Sequence, residues 1–248
     1  MFSLSNLPSL VISAACALIA LSVHEASHAY AAYKLGDNTA KDLGRLTINP
    51  LKHLDPFGVI CMMLFHFGWA RPVPINPRNF KNPRVGFALS ALAGPLSNII
   101  LAIFSALFFL VGLQFIPTTE DAFLYAVIEN SLLFLQTFTL LNLGLGVFNL
   151  IPLPPFDGSR IINLILPPRA YFKIMQYERY IYWGVIAWLL IGPSVSSTLL
   201  SLPFVAASPA LSVIASLFSL SDLISAAITG LYSLIIRFWG LLPFITII

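Results

Sequence analysis

The chain has 248 residues, of which 58% are hydrophobic and only 9% charged, with a formal net charge of +3. Soluble domains carry about 25% charged residues, so a soluble protein of this size has nowhere to hide so much apolar surface. The apolar runs fill consecutive rather than alternating positions, which excludes a transmembrane barrel and predicts an all-α polytopic membrane protein in a lipid bilayer.

Residues 7–34 read as a first span, and the opening "MFSLSNLPSL" lacks the Lys/Arg region of a secretory signal, so this helix is expected to be retained. Residues 35–55 are mixed polar, with strand-like "GRLTINP" and several turn formers. "FGVICMMLFHFGWA" (57–70) is too short for an ordinary span and reads as a re-entrant or interfacial segment. "RPVPINPRNFKNPR" (71–84) is a proline-rich basic loop. Further spans are expected at about 86–113, 122–150, 180–203 and 209–236, with a kink at Gly192–Pro193 and an interfacial tail "WGLLPFITII". About five to six transmembrane helices result, in a single integral-membrane domain over 1–248. Its catalytic core covers about 7–175, and accessory helices occupy about 178–248. Cys16 and Cys61 have no CxxC partner and read as small packing residues.

Charge placement orients the spans. Lys34, Lys41, Arg45, Lys52, Arg71, Arg78, Lys81 and Arg84 follow the first span, and Arg160, Arg169, Lys173 and Arg179 follow the third. The connection between spans two and three carries Glu120 and Asp121 and no Lys or Arg. The positive-inside rule then places segments 35–84 and 158–179 in the cytoplasm and the N-terminus outside.

The first span contains "VHEASHAY" (23–30). On a helix, His24 and His28 stack on one face, one turn apart, so two imidazole nitrogens can converge on one metal ion. Glu25 stands beside them, near a metal-held water without being a ligand, which is the logic of HExxH. A charge at mid-bilayer costs about 2.5–3.5 kcal/mol, so an ionised Glu25 needs a partner or water nearby. A catalytic zinc site takes three protein ligands and leaves a position open. Glu129 falls on the external side of the third span. Asp157 falls at its inner end, at the depth of the histidine pair, and is the best third ligand.

HExxH followed by "NLIPLPPFDG" (149–158) resembles the site-2 protease family, the intramembrane zinc metalloproteases of peptidase family M50. That family pairs HExxH with a distant NxxPxPxxDG, and Asn149, Pro152, Pro154, Asp157 and Gly158 fill every fixed position. "LGRLTINP" with "HLDPFG" (43–58), "GWARPVPINP" (68–77) and "AGPLSN" (93–98) resemble its compact bacterial and archaeal branch, without PDZ or CBS domains. Phe156 departs from the usual Leu before Asp-Gly. The resemblance covers roughly 10–175 and implies one Zn2+ per chain on His24, His28 and Asp157, with Glu25 as general base.

The same resemblance implies a zinc metalloendopeptidase that cuts transmembrane protein substrates in or near their spans. It would be a multi-pass protein of the cytoplasmic (inner) membrane with no nucleic-acid partner. Asn98 and Asn149 occupy positions linked to substrate or active site, and an interhelical hydrogen bond is an equal reading of each. Residues 39–50 resemble a membrane-associated β-hairpin whose edge could pair with an unwound substrate. His53 and His66 read as interfacial side chains. Two other classes use the same residues: a metal transporter, which leaves Glu25 without a task, and a catalytically inactive scaffold, which has no need of the whole set.

Overall fold

The computed structural model of the chain describes residues 7–55, 71–114, 121–216, 219–242 and 245. The expected re-entrant segment 57–70, with Cys61 and His66, lies outside the described residues. Among the described residues, five helices are long and apolar enough to cross a membrane: α1 (Leu7–Lys34), α2 (Pro83–Gln114), α3 (Ala122–Asn149), α4 (Glu178–Leu200) and α5 (Leu220–Trp239). The 28 residues of α1 extend for about 42 Å at the usual helical rise, which exceeds a hydrocarbon core of about 30 Å. The chain is thus a multi-pass helical membrane protein.

α1, α2 and α3 pack on one another in an up-down-up arrangement, with α5 laid against α2, α3 and α4. Lipid tails are as apolar as leucine, so helices in a bilayer gain most from close backbone approach and interhelical hydrogen bonds. Both α1 and α2 accordingly bury small residues, Cys16, Ala20, Ala29 and Ala32 on the first and Ala88, Ala91, Ala102 and Ala106 on the second, and Cys16 and Ala20 pack against Phe138 of α3. Cys16 is a free, buried thiol directed at the Phe134 carbonyl, consistent with a packing role. Two polar rungs tie α2 to α3, Asn98 Nδ2 to Asn142 Oδ1 at 2.8 Å and Ser105 Oγ to Thr139 Oγ1 at 2.7 Å.

Two expectations change. Residues 39–50 form no β-hairpin, and there is no strand among the described residues. Thr39–Asp42 is a helical turn instead. The Asp37 carboxylate accepts the Thr39 N–H at its start. Gly44, at φ 65°, closes its end: its N–H donates to Lys41 O, and Arg45 N–H donates to Ala40 O. That pair of bonds is a Schellman closure, and the left-handed φ suits glycine. The last span is also shorter than 209–236. Pro209–Ser216 is a separate helix, and α5 starts at Leu220, where Ser219 Oγ accepts the Asp222 N–H. α4 continues through Pro193 to Leu200.

Candidate metal centre

His24 and His28 lie in the second half of α1 and are 4% and 5% exposed. Asp157 comes from the turn that follows α3 and leads into the helical turn Gly158–Ile161. Gly158 lets the chain fold back there, because a Cβ at this position would overlap the carbonyls of Leu150 and Ile151. Arg84, at the start of α2, donates to the carbonyls of Asn163, Leu164 and Leu166 and so binds this segment to the bundle. Phe156, the departure from the family pattern, is buried among Val185, Leu220 and Phe148 and anchors the turn against α4 and α5.

The three donor atoms converge. His24 Nε2 and His28 Nε2 stand 3.0 Å apart, and Asp157 Oδ2 is 3.2 and 3.1 Å from them. The opposite ring nitrogens are engaged: His24 Nδ1–H donates to Asn98 Oδ1 at 2.6 Å and His28 Nδ1–H to the Ser90 carbonyl at 2.7 Å. Protons on both Nδ1 atoms leave both Nε2 atoms as lone pairs. Two lone pairs and a carboxylate oxygen facing one another repel unless a cation lies between them. Tetrahedral zinc with bonds of about 2.0–2.1 Å separates its ligand atoms by about 3.3 Å. The observed spacings fit that geometry. This is the one His/Cys/Asp/Glu cluster suited to a metal among the described residues.

The surroundings are equally specific. Asn98 is fully buried, and its Nδ2 donates both to the Ala20 carbonyl and to Asn142 Oδ1. Asn142 in turn donates to the Phe138 carbonyl, so His24, Asn98 and Asn142 form one chain of hydrogen bonds across α1, α2 and α3. Gly94 of α2 passes directly over the pair: a Cβ there would overlap His28 Nε2 and lie 2.7 Å from His24 Cε1. Arg160 approaches the other carboxylate oxygen, Asp157 Oδ1, at 3.8 Å and lies over the Phe87 ring. Glu25 is half-buried on the neighbouring face of α1, where its Oε2 accepts the Val73 backbone N–H at 2.9 Å.

The remaining candidates fall elsewhere. Glu129 is exposed in the first half of α3 and takes no part in the cluster. Asn149 ends α3, half-buried, with its amide bonded back to Leu145 O. His53 is 1% exposed, and its Nε2–H donates to Thr47 O. Its place is set by the loop that wraps it, which an isolated polar residue does not reveal in sequence. Asn142 and Val73 are the residues that sequence reasoning missed. The signal for Asn142 was an amide in the interior of an apolar span. Val73 carried none, because only its backbone is used.

A buried His-His-carboxylate cluster with a glutamate beside it, inside a bundle of membrane-length helices, defines a membrane protein with a candidate metal centre. The chain belongs to peptidase family M50, whose model matches residues 13–192. "Putative zinc metalloprotease YwhC" of Bacillus subtilis (strain 168) is 46% identical over 191 residues, which is 77% of this chain and 82% of that protein. "Putative zinc metalloprotease Rip2" of Mycolicibacterium smegmatis is 29% identical over 72% of this chain and 66% of that protein. "Zinc metalloprotease MJ0392" of Methanocaldococcus jannaschii is 32% identical over 156 residues, 62% of this chain and 34% of that protein. No solved structure gives a significant match. The chain is thus a member of a zinc metalloprotease family, and zinc is the metal that its His-His-Asp cluster fits.

Proposed function

We propose that the chain is an intramembrane endopeptidase that hydrolyses peptide bonds in or near the membrane spans of other proteins. The observation that carries this reading is the position of the histidine pair within α1, a helix long and apolar enough to cross a membrane. His28 and His24 lie six and ten residues before the end of α1 at Lys34, about 9 and 15 Å along the helix axis. A peptidase cluster carried on a helix long and apolar enough to cross a membrane would meet substrate within the bilayer or at its edge. On the charge pattern, the site opens toward the cytoplasmic side, from which water would enter.

His24, His28 and Asp157 would hold the zinc, and Arg160 steadies the second carboxylate oxygen. Zinc, when bound, supplies a Lewis acid that acidifies water and polarises a carbonyl. Glu25 is the general base: it accepts a proton from the water that attacks the scissile carbonyl. As the carbon–nitrogen bond breaks, Glu25 returns that proton to the leaving amine. Asn98 and Ser90 keep the imidazoles in the tautomer with Nε2 free. Asn149, at the end of α3 before the turn that carries Asp157, would meet an extended substrate backbone through its Oδ1, because its Nδ2 donates to Leu145 O. A helical substrate hides its carbonyls, so segments with helix-weakening residues are favoured.

The reading is tested by reconstituting the chain with a single-span substrate in vesicles and mapping the cut by mass spectrometry. The expected scissile bond lies within the apolar span or at its edge. A cut confined to the aqueous flanks would refute the intramembrane assignment. Zinc flux without any cut would instead identify a transporter.

A further inference from the structure

We propose that residues 71–79 form a strap that holds the Glu25 carboxylate in position, and that Arg45 and Asp37 are the positioning residues anchoring it. The proposal rests on the peptidase reading and adds a reason for the buried charges of the turn between α1 and the strap.

The strap crosses α1 beside Glu25. Val73 N–H donates to Glu25 Oε2 at 2.9 Å. Pro72 and Pro74 flank Val73 and carry no N–H, so Val73 is the one backbone donor of this tripeptide. Its side chain is buried with Ala29 and Ala40, which fixes the strap against α1.

Arg45 grips the same peptide unit from the other side. It is 8% exposed, and its Nη2 donates to the carbonyls of Arg71 at 2.6 Å and Pro72 at 3.4 Å. The Pro72 carbonyl and the Val73 N–H belong to one planar peptide and point in opposite directions. A guanidinium on one edge and the Glu25 carboxylate on the other therefore pin a single rigid plate. Arg71 N–H adds a bond to the His53 carbonyl at 2.8 Å.

Asp37 holds the far end. It is fully buried, and its Oδ2 accepts the Asn76 N–H at 2.7 Å while its Oδ1 accepts Asn79 Nδ2 at 2.7 Å. Its remaining bonds are to Thr39, N–H and Oγ1. Among the described residues neither Arg45 nor Asp37 forms an ion pair. Burying a charge is costly unless hydrogen bonds or an opposite charge offset it. The hydrogen bonds of both groups go to the strap and to the turn itself, Arg45 Nε has no partner among the described residues, and the Glu25 carboxylate favours the Arg45 charge through space. Both anchors leave from the one capped turn, Asp37 to Arg45, so their separation is fixed.

A general base must stay within hydrogen-bond reach of the proton it moves. A glutamate left to its rotamers does not. The strap therefore acts on turnover rather than on zinc or substrate binding.

The test uses the full chain in proteoliposomes with a single-span substrate, and reads kcat, KM, bound zinc and amide exchange at Val73. Arg45→Gln is expected to lower kcat by about 10- to 100-fold, the scale of a small misplacement, with KM and zinc unchanged. Arg45→Lys recovers part of that loss. Val73→Pro removes the donor, and combining it with Arg45→Gln costs no more than the worse single change. Wild-type kcat in Arg45→Gln, a loss that tracks lost zinc, or losses that multiply in the double variant would each overturn the proposal. Amide exchange separates this from the peptidase reading. Arg45→Gln speeds exchange at Val73 if the strap is real, and unchanged exchange overturns it. A wild-type chain that cuts nothing overturns the peptidase reading, and exchange still decides the strap.

Discussion

His24 Nδ1 donates to Asn98 Oδ1 at 2.6 Å, and that contact determines what the other face of the imidazole can do. Asn98 cannot flip to offer its amide instead, because Nδ2 is already committed to Ala20 O and to Asn142. The orientation of Asn142, a residue of α3 far from His24 in sequence, thus reaches His24 through one amide. Asn98→Ala is expected to weaken zinc binding by about 10- to 100-fold, as loss of a ligand's hydrogen-bond partner does elsewhere. Asn142→Leu should produce a smaller loss in the same direction. Competition with a chelator of known affinity measures both, and wild-type affinity in Asn98→Ala would remove it from the metal centre.

Gly94 sets the distance between α2 and the histidine pair. An alanine Cβ there would overlap His28 Nε2 and approach His24 Cε1 to 2.7 Å. Overpacking of a tight interior costs about 1–3 kcal/mol, and here the groups forced aside are the two histidines proposed to hold the zinc. Gly94→Ala should therefore lower bound zinc per chain while the helical circular dichroism is kept. Full zinc occupancy in that variant would contradict the placement of α2.

Asp37 gives the strap a pH limit. Burial alone would raise its carboxyl, but hydrogen bonds from Thr39, Asn76 and Asn79 hold it below the ordinary carboxylate range. A group with a depressed folded pKa stabilises the fold above its unfolded value, near 3.9, and loses that contribution as pH falls through its folded value. Amide exchange at Asn76 should accordingly show no Asp37-dependent change from about pH 5 to 8, and accelerate in acid below about pH 4. Asp37→Asn should raise exchange at neutral pH and remove that acid limb. An acid limb that survives the substitution would assign it to another group.

Much of the site was legible because its signals are local. The i, i+4 spacing of His24 and His28 fixes a shared helical face, and alternating loop charges pointed to Asp157, whose Oδ2 lies 3.2 and 3.1 Å from the pair. The rest depends on contacts without a sequence period. Val73 meets Glu25 through its backbone, so its side chain says nothing of the role. The strand-like reading of "GRLTINP" gave way to the cap chemistry just before it, where Asp37 opens a helical turn and Gly44 closes it. The start of α5 was hidden in a continuous apolar run and is set by the Ser219 cap. Span ends near 34, 83 and 149 were clearer, since basic or proline-rich segments interrupt the apolar sequence there.

The central claim is that Glu25 moves protons for a peptidase whose metal is held by other residues. Its most direct test is the Glu25→Gln variant, reconstituted in vesicles and assayed beside wild type for bound zinc and for cleavage of a single-span substrate. The predicted result is one zinc per chain in both, with cleavage reduced by about 10²- to 10⁴-fold in the variant, the usual contribution of general acid–base catalysis. Cleavage at the wild-type rate by a zinc-loaded Glu25→Gln chain would contradict the account.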